Sequence, residues 1–205
     1  MSNLLRQKIL LIELTVLFAS ITWHKNRCCI HPVFTALMKT ELALRTVAGL
    51  KEAGINFVSY IPETRLSEIL PVLAADDSFM LAPVSSEAEA VGIAAGAALG
   101  GKRAAVYMEG TGLFVSTYNL LTVGERYGVP MLLLIAYVGS FEDQRNSYLF
   151  SHYGNKTKGI LETLGIQYLI VDSGSQLEAR IKDAVRMMHS LKLPVALLFT
   201  GEFTE

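Results

Sequence analysis

Chemistry in this 205-residue chain is to be sought where acids and small residues follow apolar runs. In Val84-Ser85-Ser86-Glu87-Ala88-Glu89 an apolar run ends, and Ser86 stands three residues before Glu89, the spacing of a capping box that starts a helix. Glu87 then falls in the first helical turn, where the helix dipole favours a carboxylate. It is either a plain first-turn acid or a proton-sharing group at the edge of a sheet. Gly110-Thr111-Gly112 follows a second apolar run as a turn. A nucleotide-binding α/β domain would use such a turn for phosphate, but Leu113-Phe114-Val115-Ser116 lacks the third glycine of the dinucleotide fingerprint, and no acid follows about 20 residues on. His152, in Phe150-Ser151-His152-Tyr153-Gly154-Asn155, is a loop histidine, either a solvated or structural one or a proton relay. His24, Cys28, Cys29 and His31 do not have the two-to-four-residue cysteine spacing of structural zinc sites, so no metal site is expected there.

The elements that must position these residues are legible as alternating strands and helices. Apolar strands read at 56–61, 79–84, 104–108, 131–136, 167–171 and 195–200, separated by helical stretches long enough for crossovers. Thr40 caps a helix through Leu42, Leu44, Val47, Ala48 and Leu50, and Gly54 stops it. Pro62 turns the chain into a helix through Leu66, Ile69, Leu70 and Leu73. Continuous apolar strands alternating with helices predict an α/β fold: a doubly wound, six-stranded parallel sheet with helices on both faces and sites at the carboxyl ends of its strands. Three stretches after strands therefore matter: 83–89, 109–116 and the long 137–157. The helix from Ala90 to Gly100 is built almost wholly of small residues, and Gly92 and Gly96 open one face of it to a second backbone, a subunit interface or a cofactor wall.

Composition narrows the function. With 18 basic and 19 acidic residues the net charge is −1, which excludes a charge-driven nucleic-acid binder. Hydrophobic residues at 51% and charged ones at 18% exclude disorder. Residues 1–37 stand apart as an atypical extension before a 38–205 domain: Arg6, Lys8, Lys25 and Arg27 against Glu13 give them +3, and the remainder carries −4. The apolar run from Ile9 to Ile21 is too short for a membrane span, and the bulky, basic stretch after it does not suit a signal cleavage site. Cys28 and Cys29, adjacent in sequence, form no disulfide framework, so a reducing, cytoplasmic location is expected.

Glu87 followed nine residues later by Gly96 in a small-residue helix, then a strand from Gly101 to Met108 and the turn Gly110-Thr111-Gly112-Leu113, resembles the pyrimidine-binding domain of thiamine-diphosphate enzymes. Within these it resembles the alpha subunit of sulfopyruvate decarboxylase and the related phosphonopyruvate decarboxylases. The resemblance runs from Met38 to about Phe199 and includes Tyr60-Ile61-Pro62-Glu63-Thr64 and the stretch Leu161 to Ile166. It implies that Glu87 hydrogen-bonds the N1′ nitrogen of the cofactor's aminopyrimidine, favouring the imino tautomer that takes the thiazolium C2 proton. Gly110, Thr111 and Gly112 then line the cofactor, Glu63 and Thr64 meet substrate, and His152 falls where pyruvate-type decarboxylases carry active-site histidines. The implied activity is decarboxylation of a small 2-oxo acid.

In such enzymes a second domain with a Gly-Asp-Gly motif holds the diphosphate and Mg2+, and no Gly-Asp-Gly occurs in this sequence. The resemblance therefore implies half an active site, completed by a diphosphate-binding beta subunit in a hetero-oligomer. Relatives tend to have Ser-Gly-Leu-Gly-Asn-Ser where this chain has Thr111-Gly112-Leu113-Phe114-Val115-Ser116, and Ser-His-Arg-Gly where it has Ala136-Tyr137-Val138-Gly139. Those departures bear on recognition of a dianionic substrate, which wants a nearby Arg or Lys. Lys156 and Arg145 are the candidates to replace it. The rival expectation is a non-catalytic nucleotide- or cofactor-binding α/β subunit.

Overall fold

The computed structural model describes residues 38–144 and 146–204. The extension 1–37, with its charge and cysteine features, and Arg145 lie outside the described residues.

Six strands, β1 (Phe57–Tyr60), β2 (Met80–Pro83), β3 (Ala104–Glu109), β4 (Leu132–Ala136), β5 (Gln167–Val171) and β6 (Val195–Phe199), form one all-parallel sheet in the order β2-β1-β3-β4-β6-β5. Each expected strand is present. Among the described residues α1 (Thr40–Glu52) precedes β1, and five α-helices cross between the strands: α2 (Ile69–Ala74), α3 (Glu87–Leu99), α4 (Gly110–Asn119), α5 (Tyr148–Thr163) and α6 (Leu177–Leu191). Side-chain alternation along the strands sorts the core into two layers. Val58, Ala105, Tyr107, Leu134 and Leu197 pack with α1, α2 and α6. Phe57, Val106, Met108, Ile135 and Leu198 pack with α3, α4 and α5. The double winding expected from sequence is thus realised, because central strands buried on both sides need a helical cover on each.

Local differences have local causes. Thr40 is the first helical residue of α1, not its cap; Lys39 occupies the cap, and no side chain caps it. Gly54, at φ +83°, does take the left-handed stop. The helix expected straight after Pro62 begins only at Ile69, because Glu63 accepts hydrogen bonds from the N–H groups of Arg65 (2.6 Å) and Leu66 (2.5 Å) and holds a non-helical turn there. The second strand, expected to be buried, is an edge strand paired only with β1; Met80 is 55% exposed, and Pro83 has no N–H to offer a further neighbour. The turn expected at 110–113 is the first turn of α4. The long 137–157 stretch is loop only to Ser147, so His152 rides on α5 rather than in a loop. What allows α5 to start so early is a backbone approach: a Cβ on Gly154 would stand 2.2 Å from the Gly139 carbonyl oxygen, and one on Gly139 2.0 Å from that of Phe150.

Candidate active site

Strand order reverses between β1 and β3: β1 leads outward to β2, whereas β3 begins the walk toward β4, β6 and β5. At such a switch the chain leaves two neighbouring strand ends in opposite directions and opens a crevice at their carboxyl ends. The turn after β1 and the starts of α3 and α4 converge on this edge of the sheet.

Glu87 is the first residue of α3. Ser86, extended at φ −150° and ψ 144°, caps the helix by accepting from the Ala88 N–H at 3.3 Å, and Glu89 Oε2 accepts from the Ser85 N–H at 2.9 Å. The reciprocal cap is present, shifted one residue outward from the expected capping box. Two further bonds fix this turn: Asn119 Nδ2 donates to the Ala88 carbonyl at 2.6 Å, and Ser59 Oγ to the Ala90 carbonyl at 2.8 Å. The half-buried Glu87 side chain lies over the first turn of α4. A Cβ on Gly112 would stand 2.4 Å from Glu87 Cγ and 2.9 Å from Oε1, so only glycine at 112 leaves room for it. Among the described residues no hydrogen bond engages the Glu87 carboxylate, which leaves it available to a donor from outside the chain. Gly110 and Gly112 are buried and Thr111 is half-buried in that same turn. Glu109 precedes it directly, so two carboxylates flank the helix N-terminus where a bound phosphate would have to sit, which disfavours the nucleotide-turn expectation.

Three polar residues that the sequence did not mark lie at the end of β3 and in the turn after β1. Tyr107 of β3 donates its hydroxyl to Glu63 Oε1 at 2.5 Å. Burial, followed by the charge of Glu63, holds the Tyr107 phenol far above its ordinary range. Glu109, two residues on, is pushed up by burial and then by Glu63, an effect Arg65 partly opposes. Arg65 is only 6% exposed, its guanidinium carbon lies 4.8 Å from the centre of the Phe150 ring, and its Nη1 is enclosed without a hydrogen-bond partner. The available signal was topological: in a doubly wound sheet the end of β1 is as strong a candidate as the ends of the other strands.

The remaining expected residues are placed less centrally. Glu63 directs both oxygens to its own turn and to Tyr107, and Thr64 is exposed beside it. His152 is exposed on α5, edge-on to Tyr153 at 6.2 Å, and Tyr153 in turn meets Phe114 of α4 edge-on at 5.9 Å. Tyr153 and Phe114 therefore connect His152 to the first turns of α4, with no direct contact to Glu87. Lys156 is exposed and donates to the His152 carbonyl at 3.1 Å, while Val138 is buried. Among the described residues no cluster of three His, Cys, Asp or Glu side chains is arranged to hold a metal ion, and no helix is long and apolar enough to cross a membrane.

Among the described residues the outer face of α3 is bare: nothing stands within 4 Å of a Cβ on Gly92 or Gly96, Leu99 and Tyr118 are each 74% exposed, and Ile93, Val115 and Leu121 are exposed as well. Such an apolar surface continuous with the site suits a protein partner.

No family model matches the chain. It is 29% identical over 157 residues to the sulfopyruvate decarboxylase alpha subunit of Methanococcus maripaludis, covering 77% of this chain and 93% of that one. It is 28% identical over 168 residues to the same subunit from Methanocaldococcus jannaschii, covering 82% and 97%. Its fold is similar to part of a 2-oxoglutarate:ferredoxin oxidoreductase from Magnetococcus marinus, at a TM-score of 0.63 and 19% identity, over 82% of this chain and 29% of that chain. The resemblance to sulfopyruvate decarboxylase alpha subunits thus extends over nearly the whole of those subunits and most of this chain.

Proposed function

We propose that this chain is the pyrimidine-binding alpha subunit of a thiamine-diphosphate-dependent decarboxylase acting on a small 2-oxo acid of the sulfopyruvate or phosphonopyruvate type. The observation that carries the reading is Glu87: a carboxylate fixed at the start of α3, held over a glycine that makes room for it, engaged by no hydrogen bond within the described chain, and adjoining an open apolar face. The residues fit an aminopyrimidine, because such a ring offers a flat apolar body to small residues and a protonatable nitrogen to a carboxylate.

Thiamine diphosphate, when bound, supplies the electron sink for loss of CO2 from a 2-oxo acid. Glu87 holds the ring by sharing a proton with its N1′ nitrogen, and the bonds from Asn119 and Ser59 to α3 keep that carboxylate in place. Gly110, Thr111 and Gly112 form the wall against which the cofactor lies, and Glu63 with Thr64 borders the substrate side of the crevice. His152 is the candidate to relay a proton from solvent, through a turn of α5 whose Tyr153 packs on Phe114. The diphosphate and Mg2+ fall to a beta subunit bearing Gly-Asp-Gly, seated on the bare face of α3 and α4, and the assembly is cytoplasmic.

Two measurements test the reading. The isolated chain with thiamine diphosphate and magnesium shows no decarboxylation of 2-oxo acids, and activity appears on adding a Gly-Asp-Gly partner; robust turnover by the chain alone would refute the split site. In the assembled enzyme Glu87→Gln keeps shape and hydrogen bonding but removes the ionisable oxygen, so C2 deuterium exchange falls by orders of magnitude with only a modest loss of cofactor affinity. Equal exchange rates in the two proteins would end the assignment.

A further inference from the structure

Arg65 presents a problem of electrostatics. A guanidinium carries five N–H donors and stays charged at any physiological pH. Placing one in the interior is tolerated when it is paired and hydrogen-bonded, and is strongly unfavourable otherwise. At 6% exposure Arg65 has the Phe150 ring 4.8 Å from its guanidinium carbon, and its enclosed Nη1 has no acceptor. The nearest acids do not resolve the deficit. Glu63 is occupied by the N–H groups of Arg65 and Leu66 and by the Tyr107 hydroxyl. Glu109 makes no hydrogen bond or ion pair with Arg65.

The surroundings fix what such a cation can meet. Glu63 closes the turn that carries Arg65, and Tyr107 fixes Glu63, so the backbone at 65 is anchored from two strands at the β1/β3 switch. Phe150, in the first turn of α5, lies with its ring centre 4.8 Å from the guanidinium carbon, and the unpartnered Nη1 is a donor suited to a planar or tetrahedral oxyanion.

We propose that Arg65 recognises the acidic group at the far end of the substrate, a sulfonate or a comparable oxyanion, through the N–H edge that the fold leaves unpaired. The assignment rests on the reading of this crevice as a 2-oxo acid site and names its specificity residue, in place of the basic residue that Val138 lacks. An anion in that position completes the hydrogen bonding of a buried cation, so a substrate with the second acid is favoured over one without it.

Ligand-observed NMR titration of the full chain, without thiamine diphosphate, decides the matter with two probes that carry no 2-oxo group: 3-sulfopropanoate and propanoate. The wild type is expected to bind 3-sulfopropanoate at least about tenfold more tightly, the lower range for a charge-assisted hydrogen bond. Arg65→Met should erase that preference and leave propanoate binding unchanged, and Arg65→Lys, which keeps the charge without the planar fork, should retain part of it. If the methionine variant fails to fold, the lysine variant carries the test, since unaltered preference there would deny any role to the fork. No preference in the wild type, or a preference that survives Arg65→Met, overturns the proposal. So does a methionine variant that only weakens association with a second subunit. Because cofactor is absent from the titration, its failure is separate from a failure of the Glu87 exchange experiment.

Discussion

Charged residues on the α1 face of the molecule and charged residues at the β1/β3 edge obey opposite rules. Between α1 and α6, Arg45 grips Glu178 through two bonds of 2.7 and 2.9 Å and also donates to the Gly174 carbonyl. Lys51 at the end of α1 reaches Asp76 at 2.7 Å, and Ser78 adds two more donors to the same carboxylate. These acids are half-buried and satisfied, and their partners hold them low: Arg45 lowers Glu178, and Lys51 with Ser78 brings Asp76 to about 2. At the strand edge, Glu109 and Tyr107 are displaced upward by burial, and Arg65 is buried with an unpartnered nitrogen. Solvent-accessible pairs of the first kind contribute little to stability and close the fold locally. Groups of the second kind are unfavourable for the folded chain alone, and the proposed site is read from them.

The contrast can be broken most decisively at Gly112. An added methyl collides with the Glu87 side chain rather than with backbone, so Gly112→Ala displaces the carboxylate and spares the core. C2 exchange in the assembled enzyme should fall toward the level of Glu87→Gln, while the destabilisation stays near the low end of about 1–3 kcal/mol for overpacking, read as a Tm shift of a few degrees. Exchange at the wild-type rate would show that the strand edge tolerates movement of its acid.

A smaller effect separates the two charge sets by the sign of their pH dependence. Asp76 is depressed from 3.8 to about 2, so its pairing stabilises the fold above pH 3.8, and that stability is lost as pH falls toward about 2. Asp76→Asn should therefore lower Tm at pH 7, with the difference from wild type closing at the acid end. Glu109 is raised from 4.5, so its ionised form is disfavoured in the fold, and the cost grows as pH rises from 4.5 through its elevated value. Glu109→Gln should raise Tm at pH 7, the gain vanishing by pH 4.5. Thermal scans of both variants across pH 3–8 check the pair, and slopes of the same sign would dissolve the distinction.

The smallest expected effect is none. A chain beginning at Met38 retains every residue of both charge sets, and Tm within a degree or two of the full chain is expected. A drop of several degrees would show that residues 1–37 contribute to the packing of one set or the other.

Much of this architecture is written in local patterns. Continuous apolar runs such as 104–108 and 131–136 identify strands because a residue buried on both sheet faces must be apolar at every position. Ser86 and Glu89 mark the start of α3, and Gly54 the end of α1, because helix termini must satisfy their own backbone groups within a few residues. Glu87 was legible for the same reason, since its place depends on the cap beside it. The Pro62 turn and His152 were misplaced because their conformations depend on partners that sequence neighbours do not reveal: Glu63 holding the N–H groups of its own turn, and Gly139 meeting Gly154.

By itself, then, the sequence determined the number of strands, their parallel winding and the acid that opens α3, all of them consequences of burial periodicity and capping within a short window of chain. Only the tertiary structure decided the order β2-β1-β3-β4-β6-β5, because apolar strands carry no local label for their neighbours and long-range packing selects among the pairings. That order sets the turn after β1 beside the end of β3. It thereby buries Arg65 under Phe150 and joins Tyr107 to Glu63, and no spacing along the chain encodes either meeting.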